Sequence, residues 1–103
     1  FRALREAGHR LRHPLELIVF TAEEPTRFGL GCLGSRLLAG CLDPARAESF
    51  RDSAGRSLAD LRAAAGYHGA LEDVALPPGH FAAFVELHIE QGPLLESAGL
   101  DIG

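Results

Sequence analysis

The side chains best suited to chemistry gather in one stretch, Phe84 to Pro93, which reads Phe-Val-Glu-Leu-His-Ile-Glu-Gln-Gly-Pro. Side chains alternate between the two faces of a strand, so Glu86, His88 and Glu90 would share one face. In open α/β sheets, ligands bind in the crevice beyond the carboxyl ends of the strands. His88 is therefore a candidate metal ligand, and the alternative is a histidine with a structural role only.

A second reactive stretch is the acid pair Glu23 and Glu24, which closely follows the apolar run Leu15 to Phe20. Such a run, partly β-branched, is typical of a central strand covered on both faces. One carboxylate could ligate a divalent metal while its neighbour, pointing the other way, takes a proton from metal-bound water. The alternative is a solvated or helix-capping acid pair.

The elements that must position these stretches alternate between helix and strand. The pattern predicts strands over 15–20 and 81–89, and helices over 1–12, 35–39, 44–50, 58–65 and 94–98. Gly8 is expected to end the first helix, and Ser35 and Ser57 are expected to cap two others. This order indicates an α/β domain with a parallel sheet. The glycine spacing matches neither a P-loop nor a dinucleotide fingerprint, so nucleotide binding is not supported.

Composition limits the class of protein. The chain has 103 residues, 47% of them apolar, and a net charge of −4, which fits one globular domain at most. Its basic residues are scattered arginines, which argues against nucleic acid as a partner. No apolar run approaches the roughly 18 residues that span a bilayer, and no leader resembles a signal peptide, so we expect a cytoplasmic protein without a membrane partner. Cys32 and Cys41 are expected to be free thiols.

Taken together, the two stretches give the chain a resemblance to a known family. It resembles the zinc-dependent amidohydrolase branch of the exopeptidase superfamily: N-carbamoyl-L-amino-acid hydrolases, allantoate amidohydrolases and ureidopropionases. The resemblance covers almost the whole chain, and the octapeptide at 86–93 is its most specific part. The other matching motifs are Val19-Phe20-Thr21 with Glu23-Glu24, Arg27-Phe28-Gly29, Leu33-Gly34-Ser35-Arg36, the Asp-x-x-Gly-x-x-Leu turn at 52–58, and Ala65-Gly66-Tyr67.

The resemblance implies a three-layer α/β/α sandwich with a mostly parallel sheet, of which residues 1–103 would be part of the catalytic, metal-binding domain. It implies two divalent metal ions, zinc or manganese with cobalt as a further option, and a bridging water that attacks a ureido or amide carbon. By the same resemblance, Glu24 and His88 would each ligate one metal, Glu23 would be the general base, and Gln91 would bind a small ureido substrate. The parent protein is expected to be a homodimer, with its lid and dimerisation domain outside this chain.

Two departures from the family pattern affect these expectations. Pro25 stands where the family has glycine after the acid pair, and it fixes φ and removes an N–H group. The His-x-Asp motif and the distant histidine that complete the family's metal site are absent from the sequence. The missing methionine and the opening inside a helical pattern also suggest a piece of a longer protein, which we expect to be inactive alone.

Three alternatives remain open. A dipeptidase or aminoacylase of the same superfamily would share the chemistry, although Gln91-Gly92-Pro93 argues against it. A non-catalytic α/β binding module would keep the scaffold without the reaction. A truncated remnant would have no independent function and would expose apolar surface.

Overall fold

A computed structural model describes all residues, 1–103, and consists of short helices joined by loops. The longest helix has seven residues, and none could cross a membrane. All five predicted helical regions are confirmed, with shifted ends. In chain order the elements are α1 (Arg2–Glu6), α2 (Leu33–Leu38), α3 (Pro44–Glu48), α4 (Leu58–Ala64), a 3₁₀ helix (Leu71–Val74) and α5 (Leu94–Ala98).

A small apolar core lies among the middle helices. Helix α2 contacts the 3₁₀ helix, and α3 contacts α4. The rings of Phe28 and Phe50 pack beside this core with centroids 6.1 Å apart. Burial of one large aliphatic side chain contributes about 1.5–3 kcal/mol, so these few contacts form the stable centre of the chain. The buried apolar residues are Leu33, Leu37, Leu42, Ala47, Leu58 and Leu71.

Side-chain caps explain where two core helices begin. The Asp43 carboxylate accepts the Arg46 N–H at 2.8 Å, and Pro44 occupies the first turn of α3. Ser57 and Asp60 form a capping box at the start of α4, as each side chain accepts the other residue's backbone N–H. The predicted Ser57 cap is therefore confirmed.

Two details of the helix predictions are wrong. Helix α1 ends at Glu6, well short of residue 12, and Gly8 follows in the left-handed conformation with φ +69°. Helix α2 begins before Ser35, whose hydroxyl donates to the Cys32 carbonyl at 3.1 Å and caps nothing. Cys32 occupies the N-cap position without a side-chain cap, and the first N–H groups of α2 donate to carbonyls of residues 21–23 instead.

The predicted sheet is not confirmed. The β pairing consists of an isolated antiparallel bridge between Arg51 and Ser57, and residues 15–20 and 81–89 make no backbone hydrogen bonds. A strand is defined by a ladder to a neighbour about 4.8 Å away, and neither segment has such a neighbour. The three-layer α/β/α sandwich with a parallel sheet therefore stays a prediction.

The two predicted strands nevertheless lie side by side. Glu16 Oε1 is 3.4 Å from His80 Nε2, and the rings of Phe20 and Phe84 are 6.5 Å apart between centroids. Phe20 lies four residues after Glu16, and Phe84 lies four residues after His80. The two segments therefore run in the same direction. A cavity of about 730 Å³ is lined by residues of both segments. Side chains that a sheet would cover are exposed, and Leu87 is completely so at 100%.

Candidate functional site

The backbone of the acid-pair loop is bound to the start of α2. Three successive N–H groups donate to three carbonyls of the loop: Cys32 to Glu23 at 2.7 Å, Leu33 to Ala22 at 3.0 Å, and Gly34 to Thr21 at 3.1 Å. The first N–H groups of a helix have no partner inside the helix, so the loop takes the place of a side-chain cap. Because α2 is anchored in the core through Leu33 and Leu37, the core fixes the backbone of residues 21–23.

Two glycines make this close approach possible. A Cβ at Gly34 would lie 2.8 Å from the Thr21 carbonyl oxygen, and one at Gly31 would lie 3.1 Å from the Glu23 carbonyl oxygen. Both neighbours are backbone atoms, which cannot rotate away as a side chain could. Both glycines follow the acid pair within 11 residues in the sequence, and this short separation was the available signal for the contact.

The two carboxylates of the pair differ in their surroundings. Glu23 and Glu24 are both exposed. The Cys32 thiol points its Sγ at Glu23 Oε1, 3.7 Å away, whereas the Glu24 carboxylate has no hydrogen bond or ion pair within residues 1–103. Pro25 lies outside the ladder of residues 21–23 and accepts the Gly29 N–H at 3.0 Å. The proline that replaces the family's glycine therefore removes no hydrogen bond that holds the acid pair.

His88 is exposed, and its ring contacts the backbone of the next residue. Nδ1 lies 2.5 Å from the Ile89 carbonyl oxygen. A carbonyl oxygen can only accept, so this contact places the proton on Nδ1. Nε2 is then the ring nitrogen without a partner in the chain, and it is the atom through which His88 would bind a metal ion.

Gln91 occupies a turn that is closed by its neighbour Glu90. The Glu90 carboxylate accepts the N–H groups of Leu94 at 3.0 Å and Leu95 at 2.9 Å, which are the first two of α5. The alternation pattern predicted a strand face shared by Glu90 and His88 and gave no sign of this contact. An acid four residues before an apolar helix start was the available signal.

Unusual backbone conformations mark the same segments. The chain has three residues other than glycine with positive φ: Ala22 at 50°, Cys32 at 59° and Gln91 at 56°. A side chain in this region costs roughly 1–2 kcal/mol and persists where the surrounding contacts require it. Ala22 lies in the acid-pair loop, Cys32 contacts Glu23 through its thiol, and Gln91 begins the turn before α5. Positive φ outside glycine thus occurs only beside the acid pair, at the Cys32 N-cap that contacts Glu23, and at Gln91.

The structure does not join the acid pair to the residues around His88. No hydrogen bond or ion pair links residues 21–24 to residues 86–91. Within residues 1–103, no group of three His, Cys, Asp or Glu side chains is arranged to hold a metal ion. A structural or catalytic zinc takes at least three protein ligands. These residues alone therefore do not fit the two divalent metal ions that the resemblance implies.

Relatives of known name match nearly the entire chain, although no family model does. Ureidoglycolate hydrolase of Arabidopsis thaliana is 49% identical over 97% of this chain and 22% of its own length. N-carbamoyl-L-amino acid amidohydrolase of Geobacillus stearothermophilus is 46% identical over 99% of this chain and 25% of its own. Allantoate amidohydrolase of Escherichia coli is 38% identical over 86% of this chain and 21% of its own length.

Solved structures give the same result. Crystal structures of AtUAH in complex with (S)-hydroxyglycine and with glyoxylate match this chain with a TM-score of 0.86, at 44% and 45% identity. Each match covers 97% of this chain and 25% of the solved one. The chain therefore spans about a quarter of the length of the proteins it matches.

Proposed function

Since this chain matches a segment of the family of ureidoglycolate hydrolases, N-carbamoyl-L-amino-acid amidohydrolases and allantoate amidohydrolases, we propose that it serves as part of such a hydrolase. The relatives are named for hydrolysis of carbon–nitrogen bonds other than peptide bonds. The proposed reaction is cleavage of such a bond in a small ureido or carbamoyl compound. The observation that supports it most is the acid pair, which the core holds in place through α2 while both carboxylates face solvent.

Glu23 is the proposed general base. A base must reach the proton that it removes, and an exposed carboxylate on a fixed backbone meets this requirement. The thiol of Cys32 contacts one oxygen, Oε1, and leaves the other oxygen of Glu23 open to water or substrate. Gln91 is the proposed substrate-binding residue, because its amide can both donate to and accept from a ureido group.

Glu24 and His88 are the proposed metal ligands. Each has an open ligand atom, as Glu24 has no partner within the chain and His88 has a free Nε2. They are too few for a metal site, so the remaining ligands of the proposed zinc, manganese or cobalt ions would come from further parts of a longer protein. On this proposal residues 1–103 are inactive alone. The homodimer and the cytoplasmic location also stay predictions.

The test uses this chain and a longer protein extended to the length of its relatives. Calorimetry with Zn²⁺ and Mn²⁺ would compare each with its His88→Ala variant. His68→Ala is a matched control, because His68 is also exposed and its ring makes no hydrogen bond or ion pair. We expect two metal ions per longer protein, a loss of about one with His88→Ala and no loss with the control.

Activity on three probes decides between the alternatives. Ureidoglycolate, allantoate and an N-carbamoyl-L-amino acid would be offered to the longer protein, with a dipeptide and an N-acyl amino acid beside them. Turnover of a ureido compound, abolished by Glu23→Gln, would support the proposal. Turnover of the dipeptide or acyl compound alone would favour a dipeptidase or aminoacylase. Metal-free protein without any turnover would favour the binding module.

A further inference from the structure

Glu90 is an acid within the candidate site for which the proposed reaction has no use. Its two carboxylate oxygens accept one backbone N–H each, from Leu94 and Leu95 at the start of α5. Pro93, which occupies the N-cap position of α5, provides no side-chain cap. Glu90, three residues before Pro93, therefore caps α5 by accepting its first two N–H groups.

This contact closes a turn of three residues with Gln91 as its first member. Gln91 has φ 56°, a conformation that side chains other than glycine rarely adopt. The proline ring fixes φ of Pro93, and Gly92 packs against the carboxylate, as a Cβ there would lie 3.5 Å from Glu90 Oε1. The Glu90 carboxylate thus joins the start of the turn to the first residues of α5. Within the turn, Gln91 has the backbone conformation that is least favourable for an L-residue.

We propose that Glu90 is a positioning residue, whose carboxylate holds the turn in the conformation that directs the Gln91 side chain to the substrate. This inference rests on the proposed function, in which Gln91 contacts the substrate. Both Glu90 oxygens are already bound to backbone N–H groups, which argues against a role as metal ligand or proton acceptor. The charge also suits its place, since an anion at a helix N-terminus is favoured by the exposed N–H groups.

The test is a double-mutant cycle in the longer protein, with the ureido probe that it turns over fastest. Its members are Glu90→Gln, Gln91→Ala and the double variant, and kcat and KM are measured for each. Glutamine at position 90 keeps one acceptor oxygen and turns an NH₂ group towards the second N–H. Glu96→Gln is the matched control, because it removes an acid of the same charge from α5 without touching the turn.

We expect Glu90→Gln to lower kcat/KM about tenfold, mainly through a higher KM, and Glu96→Gln to change it less than twofold. If Glu90 acts through Gln91, the double variant will be no worse than Gln91→Ala, because the two effects are not additive. Thermal unfolding of each variant checks that the fold is intact.

Three outcomes would overturn the inference, and they are distinguishable. Additive losses would mean that Glu90 only stabilises α5. An unchanged kcat/KM in Glu90→Gln beside a large loss in Gln91→Ala would remove the role of Glu90 and leave the proposed function standing. An unchanged kcat/KM in Gln91→Ala would refute the proposed role of Gln91 itself, and the inference would fall with it.

Discussion

Replacement of Gly34 by alanine tests whether the core holds the acid pair through α2. The new Cβ would lie 2.8 Å from the Thr21 carbonyl oxygen and 3.0 Å from its backbone nitrogen. To reach an ordinary contact distance, the loop must retreat by about 0.6 Å. The bond from the Gly34 N–H, 3.1 Å at present, would then lengthen to roughly 3.7 Å and be lost.

The expected cost follows from this geometry. The same retreat would lengthen the Leu33–Ala22 bond from 3.0 Å to roughly 3.6 Å but the Cys32–Glu23 bond from 2.7 Å to only roughly 3.3 Å, so two of the three bonds would be lost. Two hydrogen bonds at about 1 kcal/mol each would destabilise the chain by about 2 kcal/mol, and the preference for alanine over glycine inside a helix, about 1 kcal/mol, offsets part of that loss. Gly34→Ala should therefore lower the free energy of unfolding by about 1 kcal/mol. It should also lower kcat of the longer protein, because the Glu23 backbone moves with the loop.

Urea unfolding followed by circular dichroism measures the first quantity, and steady-state kinetics measures the second. Gly69→Ala is the matched control, since a Cβ at Gly69 meets nothing within 4 Å and its φ is not positive. The control should change the free energy of unfolding by less than about 0.5 kcal/mol. Equal stability and activity in Gly34→Ala and Gly69→Ala would refute the idea that close approach of α2 fixes the acid pair.

Two further predictions concern the remaining parts of the chain. Hydrogen bonds from the Ser57 side chain and backbone lower the pKa of Asp60. Burial by itself raises the pKa of Asp52, but hydrogen bonds from Arg56 and Ala54, together with the charge of Arg56, outweigh it and lower that pKa. Because both pKa values are lower in the folded state, their stabilisation is complete above about pH 4 and is lost as the pH falls through the folded values. Thermal unfolding from pH 7 to pH 2 should show this loss, and Asp60→Asn should weaken the pH dependence. Exposed Val85 and its apolar neighbours should make the 103-residue chain self-associate, and sedimentation showing only monomer at high concentration would contradict this.

The sequence predicted those parts of the fold that depend on local signals. Ser57 and Asp60, three residues apart, define the start of α4 by themselves, and Gly8 ends α1 through its own backbone freedom. Ser35 failed as a predicted cap because the N–H groups of α2 have tertiary partners in the acid-pair loop. No local rule shows that carbonyls 9 to 13 residues earlier in the chain will take the place of a cap.

The predicted strands are not confirmed for a related reason. A helix satisfies its hydrogen bonds internally, whereas a strand needs a neighbour, and alternation of side chains says nothing about whether that neighbour is present. Residues 15–20 and 81–89 have the expected composition and direction without a ladder. The residues with candidate chemistry were found because they cluster in two stretches, while their supports, Gly34 and Glu90, depend on contacts that spacing alone does not show.

The two stretches are held in different ways, and this difference has a chemical consequence. The acid-pair loop is bonded to α2 and through it to the core, so Glu23 and Glu24 have a defined backbone position within these 103 residues. His88 lies at the end of a segment without backbone hydrogen bonds, and only the turn after it is closed, by Glu90. Catalytic sites need ligands fixed to within a fraction of an ångström. The proposed general base, Glu23, therefore already has a fixed backbone in this chain, whereas His88, one of the two proposed metal ligands, needs neighbours for residues 81–89 before it can act with the acid pair.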